Sequence, residues 1–136
     1  MARRLDLCLL PGRMAVCRLG SGEKAPPWAD SDRLSSVTRT QTETTVVCPE
    51  ESVPAGITCN KHWRGLRIEA VLDFSETGIL SSLTAALAEE GIPIYALSTY
   101  STDLIFIQEK DLSRAVLALT RSGHRVLSEN GQELLP

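Results

Sequence analysis

The stretch from Asp73 to Asp103, DFSETGILSSLTAALAEEGIPIYALSTYSTD, constrains this chain more than any other. It starts at the end of an alternating apolar segment and turns through Ser75-Glu76-Thr77-Gly78. Ile79, Leu80, Leu83 and Leu87, with Ala86 beside them, then fall on one stripe of a helix, while Glu89 and Glu90 stay on its wet side. Ser75 or Thr77 can cap the helix start, Gly91 closes its end, and Pro93 blocks any continuation. A second apolar strand, Ile92 to Thr99, leads into the polar hairpin Thr99-Tyr100-Ser101-Thr102-Asp103. One short segment therefore carries two polar loops, one at a helix N-terminus and one ending in a carboxylate.

The flanking sequence extends this unit in both directions. Leu66, Ile68, Ala70, Leu72 and Phe74 alternate with Arg67, Glu69, Val71 and Asp73, which predicts a strand with one face in a core. Leu104 to Glu109 completes a hairpin with the strand before it. Asp111 is placed to cap a second helix, whose Leu112, Ala115, Val116 and Leu119 share a face. Gly123 ends that helix, and His124 to Leu127 forms a last short strand with His124 at the surface. The polar tail from Ser128 is expected to fray. The order β-α-β-β-α-β is the ferredoxin-like split arrangement, an α+β fold with an antiparallel sheet and two helices on one face.

The first half looks like a reduced version of the same order. Leu5 to Leu10, Met14 to Leu19, Ser35 to Thr40 and Thr44 to Cys48 read as strands, with a tight turn at Pro11-Gly12. The places of the helices shrink to Pro26–Asp32 and Pro49–Gly56, each with room for one turn; residues 57–64 show no clear pattern. The expected division is a reduced, mostly stranded unit over 1–63, a full domain over 64–128 and a tail over 129–136.

Composition narrows the function classes. The 136 residues carry a net charge of −3, so there is no basic excess for a phosphate backbone. The open-face aromatics and basic surface of an RNA-binding sheet are also missing. Nucleic acid is not an expected partner. The longest apolar run, Ile92 to Leu97, is too short to span a bilayer, so no membrane is expected. Met1-Ala2-Arg3-Arg4 precedes an apolar run, but Asp6 interrupts it and no small-residue cleavage site follows; it reads as a first strand and the protein as cytoplasmic. Cys8, Cys17, Cys48 and Cys59 form no CxxC and are expected as reduced thiols acting as small hydrophobes. Cys59-Asn60-Lys61-His62 has a C-x-x-H spacing but no second pair, so no metal is expected. No local motif for an activated nucleophile is present, and no cofactor is implied. Trp28 and Trp63 read as packing anchors.

Phe74-Ser75-Glu76-Thr77-Gly78-Ile79-Leu80, Leu83-Thr84, Glu90-Gly91-Ile92 and above all Ser98-Thr99-Tyr100-Ser101-Thr102-Asp103 resemble an ACT domain. The likeness is to the ACT subfamily found in the cytosolic arginine sensors of animal cells and in small paired-ACT proteins. Leu10-Pro11-Gly12 with Val16-Cys17-Arg18-Leu19, and Glu43 with Val46-Val47-Cys48-Pro49, resemble the first module of those small proteins. The resemblance implies a ferredoxin-like ACT domain preceded by a reduced ACT-like unit. It also implies a regulatory amino-acid-binding module, allosteric in action, and not an enzyme. In such modules the ligand lies between two ACT units. Carried over, the ligand-binding candidates are Glu76, Thr77, Gly78 and Ile79 in the first loop, and Ser98, Thr99, Tyr100, Thr102 and Asp103 in the second. With one full module in the chain, a homodimer is expected to complete the site.

The chemistry of those residue types suits such a ligand. An amino-acid carboxylate needs backbone N–H groups, which a helix N-terminus offers together with a favourable dipole. Its ammonium needs an anionic acceptor such as Asp103, and Ser98, Thr99 and Thr102 add orienting hydroxyls. Each residue also has a plain structural role open to it. Gly78 either admits a ligand or permits close helix–strand packing, Glu76 complements the helix dipole, Asp103 bonds the amides of its own hairpin, and Tyr100 covers an edge. No acidic cluster beside the loops singles out a guanidinium. The competing reading is a ligand-free ACT module that mediates dimerisation or docking on a regulated protein partner.

Overall fold

A computed structural model describes residues 4–135. They form two compact units, one built from residues up to Pro11 together with those from Arg64 onward, the other from Gly12–Trp63. The first strand belongs to the unit that also holds the second half of the chain. Strand β1 (Asp6–Leu9) pairs antiparallel with β5 (Cys59–Ile68), setting Leu7 opposite Ile68, and parallel with β8 (Arg125–Leu127), setting Leu7 opposite Val126. The physical reason lies in its side chains: Leu5 and Leu7 are buried in the same core cluster as Leu66, Ile68 and Val126.

The larger unit contains α1 (Ile79–Glu89), β6 (Ile94–Ser98), β7 (Asp103–Gln108) and α2 (Leu112–Arg121) beside β1, β8 and the second half of β5. The strand order is β6-β7-β5-β1-β8. Without β1 this is the βαββαβ order, so the inserted strand adds one parallel pair to an otherwise antiparallel sheet. Leu83 and Leu87 of α1 and Ala115, Val116, Ala118 and Leu119 of α2 join Leu7, Leu66, Ile68, Ile105, Ile107 and Val126 in one cluster, which puts both helices on one sheet face. On the other face Phe106 is 1% exposed, and an added Cβ at Gly65 would sit 3.1 Å from its ring, so only glycine lets the ring lie flat on the strand.

Several local expectations are corrected. The strand over 66–74 ends at Ile68, because after Glu69 donates its N–H to Asp6 the segment has no ladder partner. Ala70 and Leu72 still pack on the core while Val71 and Phe74 are exposed, so the alternation is real without a strand behind it. His124 is buried at 3% exposure, and its Nδ1 accepts the Leu5 N–H at 3.1 Å. The tail folds back: Leu127 bridges Glu133, the Leu134 N–H donates to Val126, and Leu134 packs on the core. Asp111 occupies the start of α2 but caps nothing; its carboxylate instead accepts from Arg114 at 3.0 Å.

The smaller unit has β2 (Met14–Leu19), β3 (Ser36–Arg39), β4 (Thr44–Pro49) and the first half of β5, in the order β3-β4-β2-β5, all antiparallel. Short 3-10 turns at Pro27–Ala29 and Glu50–Ser52 stand where helices would be. Ala15, Cys17, Ala29, Val46 and Cys48 are its core, with Trp28 packed against them. β5 begins at Cys59, inside the stretch that showed no pattern. A register shift against β2 and a left-handed His62 (φ 71°) break the alternation there. All four cysteines are free thiols.

Candidate functional site

Ser75 and Thr77 both suit the cap of α1, yet neither takes that role. Asp73 Oδ1 accepts the N–H and the hydroxyl of Ser75, each at 2.8 Å, in a tight turn of its own. These two bonds hold the Asp73 carboxyl below the usual carboxylate range. The position before α1 falls to Gly78, at φ 78°, with no side-chain cap. A Cβ at Gly78 would meet nothing within 4 Å, so close packing is not what requires glycine there. The left-handed backbone is.

The second loop is fixed by its own polar groups. The Thr99 N–H donates to the Thr102 carbonyl at 2.8 Å, and Thr99 Oγ1 accepts from the N–H groups of Ser101 and Thr102. Ser98 Oγ donates to Asp103 Oδ1 at 2.6 Å, so Asp103 is held by a hydroxyl from the facing strand and not by hairpin amides. Three contacts bring this hairpin to the first loop. Leu72 N–H donates to Ser101 at 2.7 Å, Thr102 Oγ1 donates to the Ile68 carbonyl at 2.9 Å, and the rings of Phe74 and Tyr100 meet edge to face at 4.9 Å.

Between them lies a cavity of about 290 Å³, at the small end of the roughly 300–1,000 Å³ that ligand pockets occupy. Glu76, Gly78, Ile79, Ser98, Thr99, Tyr100, Thr102 and Asp103 line it; Thr77 does not. The structure adds Leu72, Asp73, Phe74, Leu80 and Ser81 to the wall. The Asp73 contribution could have been found from its Asp-x-Ser turn, which leaves the carboxylate beside the helix start. With Asp73, Glu76 and Asp103, three carboxylates face the cavity, and no lysine, arginine or histidine does among the described residues. Asp73 is the one of the three that the sequence did not offer as a candidate. The first turn of α1, from Gly78 to Ser81, opens on the same space. The cavity thus pairs a helix N-terminus, which favours an anion, with a carboxylate-rich wall, which favours cations.

At Cys59 to His62 the structure gathers no metal site. His62 Nδ1 lies 3.1 Å from Glu50, whose carboxylate also accepts the His62 N–H at 2.7 Å. Among the described residues no group of three or more candidate ligands is placed to hold a metal ion. Nor, among them, is any helix long and apolar enough to cross a membrane.

Comparison with known proteins agrees with the fold. A family model for the ACT domain covers residues 58–121, and a model for an N-terminal domain covers 12–56. The cytosolic arginine sensor for mTORC1 subunit 1 of Rattus norvegicus is 40% identical over 60 residues; the match takes in 44% of this chain and 18% of the sensor, so the chain spans under a fifth of that relative. A crystal structure of a protein from Agobacterium tumefaciens is 30% identical, superimposes with a TM-score of 0.89, and is matched over 98% of this chain and all of that one. The regulatory subunit of aspartate kinase from Thermus thermophilus shares the fold at 13% identity and a TM-score of 0.59, over 85% of this chain and 96% of that one.

Proposed function

We propose that this chain, a member of the ACT domain family, is a regulatory module that binds a free amino acid in the cavity between the 73–81 loop and the 98–103 hairpin. The observation that carries this reading is that both loops, separate in sequence, line one small cavity whose two ends differ in charge preference. The α-carboxylate sits at the first turn of α1, and the α-ammonium at Asp103, with Ser98 and Thr102 orienting it. Asp73 and Glu76 add two more carboxylates to the wall, beside their bonds within the loop, so a basic amino acid fits better than a neutral or acidic one. The rat relative, an arginine sensor, is consistent with that choice.

A second copy of the chain completes the site in this reading. Phe74 and Tyr100, on the cavity wall, are 76% and 83% exposed, an apolar surface that a twofold partner would cover. The same surface supports the alternative, an ACT module that pairs or docks without a ligand. Binding acts by population shift, favouring whichever assembly or partner-bound state holds the ligand more tightly. The cytoplasm is the compartment we assign, in keeping with the free thiols and the relative's name.

A thermal-shift screen of the twenty amino acids tests this on the wild type and on Asp103→Ala. A ligand at about a hundredfold over Kd stabilises by about 2.7 kcal/mol, a rise of several degrees in Tm. The expected result is a shift with lysine or arginine that Asp103→Ala abolishes. A cooperative melt unmoved by all twenty leaves the ligand-free module as the answer.

A further inference from the structure

The smaller unit carries Cys17, Cys48 and Cys59 on one face of its strands. The β2·β4 register sets Ala15 opposite Cys48 and Cys17 opposite Val46, and the β2·β5 register sets Cys17 opposite Cys59. With a period of two along each strand, all three side chains point the same way. The spacing between them is not equal. The Arg18 N–H donates to the Thr58 carbonyl at 2.9 Å, which makes Arg18 and Thr58 the hydrogen-bonded pair of this ladder and Cys17 and Cys59 the adjacent non-hydrogen-bonded pair. Cα atoms of such a pair stand about 4.5 Å apart, inside the roughly 4.4–6.8 Å that a disulfide spans. Cys48 lies diagonal to Cys17, at about 7–8 Å, and two strands from Cys59, at about 9–10 Å; neither distance closes without moving backbone.

We propose that Cys17 and Cys59 form a redox-modification site, a dithiol that a hydroperoxide converts to a cross-strand disulfide, leaving Cys48 as a thiol. Cys59 is the entry point, since it is half-buried while Cys17 and Cys48 are 1% and 0% exposed. In the first step Cys59 sulfur attacks the peroxide O–O bond, giving a sulfenic acid and one water. In the second, Cys17 sulfur attacks that sulfur; the S–S bond forms, the hydroxyl leaves, and it departs as water with the Cys17 proton. Two thiols and one hydrogen peroxide become one disulfide and two waters. Burial, and then the adjoining Cys48 and Cys59 sulfurs, push the Cys17 thiol up to about 12, so the second step is the slow one. The sulfenic acid on Cys59 therefore lasts long enough for capture by a 1,3-dione.

The test treats the intact protein with hydrogen peroxide, denatures it, alkylates free thiols and maps the peptides without reduction. The expected result is a fall from four alkylated cysteines to two, Cys8 and Cys48, with the Cys17 and Cys59 peptides linked within one chain. Cys48→Ser keeps the link, and Cys59→Ser loses it. A link through Cys8 or Cys48, a link between chains, or four thiols surviving treatment would overturn the proposal. The wild-type map alone decides among these outcomes, whether or not a core variant folds.

Discussion

His124 illustrates how much one side chain settles. Its Nδ1 accepts the Leu5 N–H, so the imidazole carries its hydrogen on Nε2, and burial holds its pKa below the ordinary value. The unfolded chain thus takes up a proton near pH 6.5 while the folded one does not, and stability falls as pH drops below about 6.5 toward the folded pKa. His124→Asn offers an oxygen where Nδ1 stands, so denaturant melts across pH 5 to 8 should lose that slope and keep most of the stability. His124→Leu leaves the Leu5 N–H buried and unpaired, at a cost of about 1–3 kcal/mol. The sequence placed this residue at the surface because a histidine after a helix-ending glycine carries no local sign of its partner, which lies 119 positions earlier. Ser75 failed as a cap for a different reason: a competing acceptor, Asp73, sits two residues away, and sequence alone does not rank the two local bonds. The two polar loops were more legible, since the apolar stripe of α1 and the glycines at its ends mark where the loops begin and end. Only Thr77 lies off the cavity wall.

At the scale of elements, the site depends on two loops staying in register with each other. Thr102 Oγ1 bonds the last residue of β5, and Gly78 supplies the left-handed turn into α1. Thr102→Val keeps the shape and removes the bond, so chemical denaturation should report a loss of about 0.5–1.5 kcal/mol. Titration calorimetry should show weaker amino-acid binding in that variant. Gly78→Ala meets open space and is charged only for its backbone, about 1–2 kcal/mol; a loss well beyond that would mean the turn has a further partner. Periodicity located both helices because each has one wet and one dry side, while β4 and β7, buried on both faces, showed themselves as continuous apolar runs. It misplaced β5 at both ends. The register shift and the left-handed His62 scramble the alternation where the strand begins, while Ala70 and Leu72 keep alternating where the ladder has stopped.

For the whole chain, the larger unit is discontinuous: its interior strand β1 comes from residues that the smaller unit separates from the rest. Arg125 binds Asp6 through two bonds, Nε to Oδ1 at 2.8 Å and Nη2 to Oδ2 at 2.7 Å, which fastens β8 to β1 in addition to their ladder. A fragment of residues 64–136 lacks β1 and exposes the facing edges of β5 and β8, so it should melt without cooperativity or aggregate. The same fragment with residues 4–11 joined to it through a flexible linker should recover a sigmoidal transition, read by circular dichroism. Strand pairing of this kind is invisible to pattern analysis, because an alternating segment declares that it has a dry face and not which sheet will supply it.

The placement of β1 also has a consequence for biosynthesis. The strand leaves the ribosome first among the sheet's members, while β8 emerges 119 residues later, going by the Asp6–Arg125 pairing. At about 5–20 residues per second that interval is roughly 6–24 s, during which Leu5, Leu7 and Leu9 have no completed sheet to enter. The smaller unit, whose strands are all made in between, can finish folding within that time and leave β1 tethered beside the exit tunnel. Slowing translation anywhere between residues 10 and 125 should therefore raise the nascent chain's dependence on chaperones.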